Sequence, residues 1–213
     1  MIKIAPSILA ADPLNLERDI KKAEIAGCDW IHVDVMDAHF VPNLAYSADV
    51  VSGLRQVTEL PLDVHLMMDN PETMLDAFLD AGASCVTIHA EIRSDISAML
   101  EKIRKRGRMS GIALKPGTSL GIMKEYFRKA DLVLMMTVEP GFGGQKLDER
   151  VIEKIRMLKE MGYKGEIEAD GGINEKNLEI LVENGLSVAV MGTALFRNPD
   201  MEACVKRLHS IGA

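Results

Sequence analysis

Aromatic residues are scarce in this chain: one Trp, three Tyr and five Phe make up 4% of its 213 residues. Fourteen Met stand beside them, so an aliphatic core is expected, with thioethers filling gaps or lining a site. Cysteine is sparse too. Cys28, Cys85 and Cys204 are odd in number, far apart and in no C-x-x-C pair. That argues against a disulfide framework or a Cys-based zinc site and for a reducing compartment. No apolar run approaches the length of a membrane span. The opening stretch MIKIAPSILAAD turns polar too soon for a secretory signal. A soluble, cytoplasmic protein is expected, with no membrane partner. Positive charge is also in deficit. The net charge is −7, which argues against nucleic acid as a partner. Small anionic substrates stay open, because backbone dipoles hold those.

Hydrophobic residues make up 47% and charged residues 27%, a globular balance. Eight β-type runs alternate with amphipathic stretches: KIAPSIL, DWIHVDVM, LDVHLM, CVTIHA, GIALK, LVLMMTV, EIEAD and SVAVMG. Asp12-Pro13, Asn70-Pro71 and Asn198-Pro199 read as a capping side chain before a first-turn Pro. Gly27, Gly82, Gly107, Gly162 and Gly185 each follow a helical stretch and precede a strand, the left-handed C-cap position. Eight βα units in a chain of this size fit a closed (β/α)8 barrel of the TIM type. The turn after the first strand, SILAADP, carries no G-x-G-x-x-G, which disfavours an open doubly wound sheet. No linker or low-complexity tract interrupts the chain, so a single domain over residues 1–213 is expected.

In such a barrel the working face lies at the C-terminal strand ends. His32 and Asp34 are two apart, so on a strand they share a face. Ile31, Val33 and Val35 then pack under the helices while His32 and Asp34 point into the mouth. His65 has the same register on the next long strand, and Asp170 ends the seventh. Buried charge is costly unless paired or metal-bound. Two imidazoles and two carboxylates make a four-ligand set for one divalent ion, with the N/O mixture suiting Zn2+ or Fe2+. Met36, Met67 and Met136 sit where side chains line the mouth. His89 reads as a group behind the ligands, His39 and His209 as solvated. Lys115 at a strand end leaves a Schiff-base lyase as a competing class.

Glycine forms the second constellation. Gly141-Phe142-Gly143-Gly144, Gly171-Gly172 and Gly192-Thr193 follow the sixth, seventh and eighth strands. Loops there commonly cradle phosphate with free backbone N–H groups. A metal between two carboxylates beside a phosphate cradle suggests proton transfer next to a carbonyl. One carboxylate removes a proton from one face of the carbon, the other returns one on the opposite face, and a Lewis acid stabilises the enediolate.

The stretches APSILAAD, HVDVMDAHFVPN, LDVHLM, KPGT, MTVEPGFGGQ, EADGGIN and MGTALF together resemble the ribulose-phosphate 3-epimerase family along the whole chain. The resemblance implies a metal on His32, Asp34, His65 and Asp170, with Mn2+ or Co2+ as further candidates beside Zn2+ and Fe2+. It implies Asp34 as proton acceptor and Asp170 as proton donor. Substrate contacts would come from Ser7, His65, Gly141, Phe142, Gly143, Gly144, Gly171, Gly172, Gly192 and Thr193. The implied reaction interconverts D-ribulose 5-phosphate and D-xylulose 5-phosphate. A hexulose phosphate such as D-allulose 6-phosphate is the alternative ketose phosphate substrate, and a homo-oligomer is implied. Three residues depart from the family pattern: Ala38 for Gly, Leu147 for Phe and Ala169 for Val.

Overall fold

Apolar and polar side chains alternate along the strand runs, and that alternation becomes two packed faces in the computed structural model, which describes residues 1–211. Nine strands are present among the described residues: β1 Lys3–Pro6, β2 Ile31–Asp37, β3 Leu44–Ala45, β4 Leu62–Met67, β5 Cys85–His89, β6 Met109–Leu114, β7 Leu132–Met136, β8 Glu166–Asp170 and β9 Val188–Met191. They form one curled sheet in the order β1-β9-β8-β7-β6-β5-β4-β2-β3. All neighbours are parallel except β2 and β3. The helices between them are α1 Leu16–Ile25, α2 Ala48–Val57, α3 Leu75–Asp80, α4 Ile96–Lys105, α5 Met123–Tyr126, α6 Arg150–Glu160, α7 Leu178–Glu183, α8 Thr193–Phe196 and α9 Met201–Ser210.

The outward face of the sheet carries Ile31, Val33, Val35, Val64, Leu66, Ile88 and Ile112, which pack with Ile20, Phe78, Leu100, Ile155 and Leu208 of the helices. Each such side chain contributes roughly 1.5–3 kcal/mol by leaving water. Phe78 is the one aromatic among the largest fully buried side chains, the rest being Ile, Leu and Met. The inward face is a separate apolar cluster of Ala5, Trp30, Cys85, Ala113, Leu132, Leu134, Met136, Val188 and Val190. A third small cluster of Met36, Val41 and Met67 lies apart from both, and separate apolar clusters on the two sides of the same strands are what parallel strands covered on both faces produce.

The expected eight strands are all found, but the architecture differs from the expectation in two respects. A ninth strand, β3, runs back beside Met36 and Asp37. It follows a tight turn in which the Ala38 N–H donates to the Asn43 carbonyl at 2.9 Å. The closing ladder is also thinner than a regular one. β1 and β2 meet through a single parallel bridge between Ser7 and His32. The N–H groups of Asp29 and Trp30 add bonds to the Ile4 carbonyl at 3.0 and 3.3 Å. The architecture is a curled, mainly parallel α/β sheet. No helix among the described residues is long and apolar enough to cross a membrane.

Local punctuation follows the sequence in part. The five glycines behind helices all have positive φ, from 71° to 108°. The three prolines do not all begin helices. Pro71 opens a short 3-10 turn, but α1 and α9 start at Leu16 and Met201, beyond Pro13 and Pro199. Asp12 and Asn198 instead hold turns, accepting the N–H groups of Leu14 and Asp200.

Ala38 explains one departure from the family pattern. Its φ is 60°, in the left-handed region, where a Cβ costs roughly 1–2 kcal/mol. Ala38→Gly relieves that strain, partly offset by the added freedom of the unfolded chain. The variant is expected to gain about 0.5–1 kcal/mol, read as a higher urea midpoint at unchanged slope.

Candidate active site

Four polar side chains converge where β2, β4 and β8 end. Pairing sets Asp34 beside His65 across the β2–β4 ladder, and Asp170 closes β8 next to Met136. One donor atom from each of His32, Asp34, His65 and Asp170 lies within 4.8 Å of the others. The imidazoles are fully buried and Asp34 is 3% exposed. His32 tests whether this set fits a cation. Its Nδ1 is held by Asp63 Oδ2 at 2.6 Å. Its Nε2 is buried, 3.3 Å from Asp34 Oδ1, and makes no hydrogen bond. A buried nitrogen without a partner, facing carboxylate oxygens, fits a divalent ion bound by two N and two O donors.

The two carboxylates have opposite electrostatics. Burial opposes the charge of Asp34, but the His32 ring above all outweighs it and holds its pKa far below the ordinary carboxylate range. Its Oδ2 also accepts the Ser7 hydroxyl at 2.7 Å. Asp170 is pushed up to about 7, by burial first and then by the charges of Asp34 and Asp63, with His32 opposing. His32 is held well above its usual value: burial lowers it, and Asp34 and Asp63 more than compensate. One acid kept ionised and its neighbour kept nearly neutral is the arrangement that separates base from acid.

A cavity of about 720 Å³ opens above the cluster. Ser7, Asp34, Met36, Met67, Met136 and Asp170 line it, as do Gly141, Phe142, Gly143, Gly144, Gly171, Gly172, Gly192 and Thr193. Gly171 and Gly172 have φ of 123° and 64°. A Cβ on Gly171 would lie 2.5 Å from Val138 Cγ2, and one on Gly172 2.5 Å from the Leu147 N. The side-chain amides of Asn174 and Asn177 hold the Gly172 carbonyl at 3.1 and 3.0 Å. The 142–145 segment is tied by Gln145 Nε2, which donates to the Glu139 and Phe142 carbonyls, each at 2.8 Å.

Some sequence expectations land elsewhere. His65 was expected to touch substrate as well as metal, yet it is fully buried and does not line the cavity. Its strand neighbour Asp34, which does line the cavity, lies 3.3 Å from its Nδ1. Lys115 does not line the cavity, and its Nζ sits 4.0 Å over the Phe40 ring. His39 is exposed as expected, whereas His209 is half-buried and bonded to Asp29 Oδ2 at 2.9 Å. His89 lies one contact behind the cluster, its Nε2 2.9 Å from His65 Nε2, and burial pulls its pKa down to about 4.

Asp63 and Glu168 were missed. They lie beneath the cluster at 0% exposure and, with His32, gather a second set of donor atoms within 4.8 Å. Burial and then the Asp63 charge push Glu168 well above the ordinary range. Asp63 Oδ1 and both Glu168 oxygens make no hydrogen bond. The signal was available: each stands two residues before a cluster residue and so shares its face. Asn174, Gln145 and Arg197 are further lining residues that the motifs alone did not single out.

These features define the class: an α/β enzyme with a strand-end site for a small ligand, built over donors able to bind a divalent cation. Within that class the chain belongs to the ribulose-phosphate 3 epimerase family, whose model matches residues 3–196. It is 41% identical over 213 residues to the ribulose-phosphate 3-epimerase of Bacillus subtilis, covering 98% of both chains. It is 43% identical over 211 residues to the chloroplastic ribulose-5-phosphate-3-epimerase of Arabidopsis thaliana, covering 96% of this chain and 75% of that one. In fold alone it is similar to 3-hexulose-6-phosphate synthase from Salmonella typhimurium, with a TM-score of 0.74 at 16% identity over 99% and 98% of the two chains.

Proposed function

We propose that this chain inverts C3 of a ketose phosphate, interconverting D-ribulose 5-phosphate and D-xylulose 5-phosphate by two-base proton transfer. The observation that carries the reading is the convergence of Asp34 and Asp170, from separate strands, in one buried donor cluster at the floor of the glycine-lined cavity. Asp34, kept ionised chiefly by His32 and oriented by Ser7, takes the C3 proton. Asp170, on the other side of the cluster, returns one to the opposite face of the planar enediolate. The roles exchange in the reverse direction. Each positioned acid or base contributes about 10²–10⁴-fold.

His32, Asp34, His65 and Asp170 would hold the cation, Zn2+ or Fe2+ with Mn2+ or Co2+ as substitutes, and when bound it supplies Lewis acidity to the substrate carbonyl. Met36, Met67 and Met136 keep bulk water from the reacting carbons. Free N–H groups of the Gly143-Gly144, Gly171-Gly172 and Gly192-Thr193 turns receive the phosphate. Ala38 and Leu147 do not line the cavity, so the pentulose reading is retained over a hexulose phosphate.

The same reading takes the sheet as a (β/α)8 barrel closed between β1 and β2, supported by the Ser7–His32 bridge, and residues 1–213 as one domain. It places the protein in the cytoplasm, in keeping with three free, buried cysteines, and by family resemblance makes it a homo-oligomer. The test is isotopic. In D2O with Zn2+ present, either pentulose phosphate is expected to yield product deuterated at C3. Unlabelled product would contradict exchange through solvent-equilibrated bases.

A further inference from the structure

His89 and Glu91 have no part in the chemistry above, yet they continue the cluster outward through an unbroken chain of contacts. His65 Nε2 lies 2.9 Å from His89 Nε2, and His89 Nδ1 lies 2.9 Å from Glu91 Oε2. Both rings are fully buried, and the Phe40 ring packs on His89 at 4.5 Å between centroids. The other Glu91 oxygen accepts the Lys115 N–H at 2.8 Å and the Thr118 hydroxyl. Lys154 Nζ ties down the same loop by donating to the Pro116 and Thr118 carbonyls at 3.0 and 2.6 Å.

A chain of neutral imidazoles has only two proton arrangements, because the nitrogens at each contact must be one donor and one acceptor. In the first, His89 donates from Nδ1 to Glu91 and accepts at Nε2 from His65, which leaves His65 Nδ1 bare. In the second every direction reverses. His65 Nδ1 then donates to Asp34, and a bare His89 Nδ1 faces the Glu91 carboxylate. The first sets the bare His65 Nδ1 against Asp34 Oδ1 at 3.3 Å, a longer contact that a cation relieves; the second sets two acceptors against each other at 2.9 Å, the closer of the two clashes. Burial disfavours charge on Glu91, but the His89 and Thr118 contacts outweigh it and bring its pKa to about 2. A carboxylate already fed by two other donors offers no proton to resolve that clash.

We propose that Glu91 is a positioning residue: acting through His89, it fixes the proton of His65 on Nε2 and presents a bare Nδ1 to the cation site. The inference rests on reading the cluster as that site. It also accounts for the 3.3 Å approach of His65 Nδ1 to Asp34 Oδ1, since a lone pair and a carboxylate oxygen so placed call for a cation.

Glu91→Gln tests this with almost no change of shape. The Gln carbonyl keeps the Lys115 and Thr118 donors, so its NH2 meets His89 Nδ1 and reverses the chain. Zn2+ affinity, measured by competition with a chelator, is expected to fall about 10–100-fold. In the metal-free variant, 15N spectra of the rings are expected to show His65 protonated at Nδ1, against Nε2 in the metal-free wild type. Thr118→Val removes one donor to the same carboxylate without reversing polarity, and should leave Zn2+ affinity and both tautomers unchanged. Unaltered Zn2+ affinity in Glu91→Gln, or lost affinity with wild-type tautomers, would overturn the proposal. So would an Nδ1-protonated His65 in the metal-free wild type, whether or not any variant folds. A wild type that binds no Zn2+ would instead refute the cation-site reading, and the ring spectra would still decide the tautomer.

Discussion

Asp170→Asn and Asp34→Asn are each expected to lower turnover by about 10²–10⁴-fold or more, while moving the stability of the metal-free protein in opposite directions. The loss of rate follows because neither amide takes up or releases a proton at C3. The divergence follows from the surroundings. Asp34 is ionised chiefly because His32 flanks it. Removing that charge takes one of two carboxylates from a buried His32 imidazolium that keeps Asp63 on its Nδ1, at a cost of about 1.5–3 kcal/mol. Asp170 is the reverse case, its charge opposed by burial and by Asp34. Its folded pKa of about 7 exceeds the ordinary 3.8, so the folded state prefers the proton. The resulting stability is fully present at low pH and is lost as pH rises through about 7. Asn carries no such loss. Urea unfolding of the metal-free proteins should therefore show Asp34→Asn weakened, and Asp170→Asn gaining on wild type between pH 5 and pH 8. Near-wild-type turnover in either variant would refute the two-base scheme.

Stripping divalent ions is expected to abolish activity, and restoring Zn2+ or Fe2+ to recover it. The physical ground is the cluster itself: two carboxylates within 4.8 Å of each other and a His32 Nε2 with no hydrogen bond. Saturating cation at a thousandfold above its dissociation constant should add about 4 kcal/mol to unfolding. Calorimetry with and without chelator reads that difference. Full turnover from protein shown by elemental analysis to lack transition metal would remove the cation from the account.

The alternation of strands made much of this site legible. His32 and Asp34 share a face because they are two apart, and the same rule set His65 inward and Val64 and Leu66 outward. The rule gives the face and not the depth. It applies equally to Asp63 and Glu168, which the motifs did not single out. Only the stagger between neighbouring strands shows that this pair lies beneath the cluster. Glu91 was harder still, because it lies beyond the end of β5 in a loop where no period applies, and its partners Lys115 and Thr118 arrive from beyond the next strand. The short strand β3 escaped notice because two residues carry no pattern. Its turn needs a left-handed residue, and Ala38 sits there without the glycine that would have marked it.

The central claim is that two carboxylates serve opposite faces of one carbon. Metal-loaded Asp170→Asn and Asp34→Asn, each given either pentulose phosphate in D2O, test it by proton exchange at C3 without net epimerisation. Each variant is predicted to wash deuterium into one epimer only, and the two variants into different epimers. Exchange of both epimers by either variant, or of the same epimer by both, would contradict it.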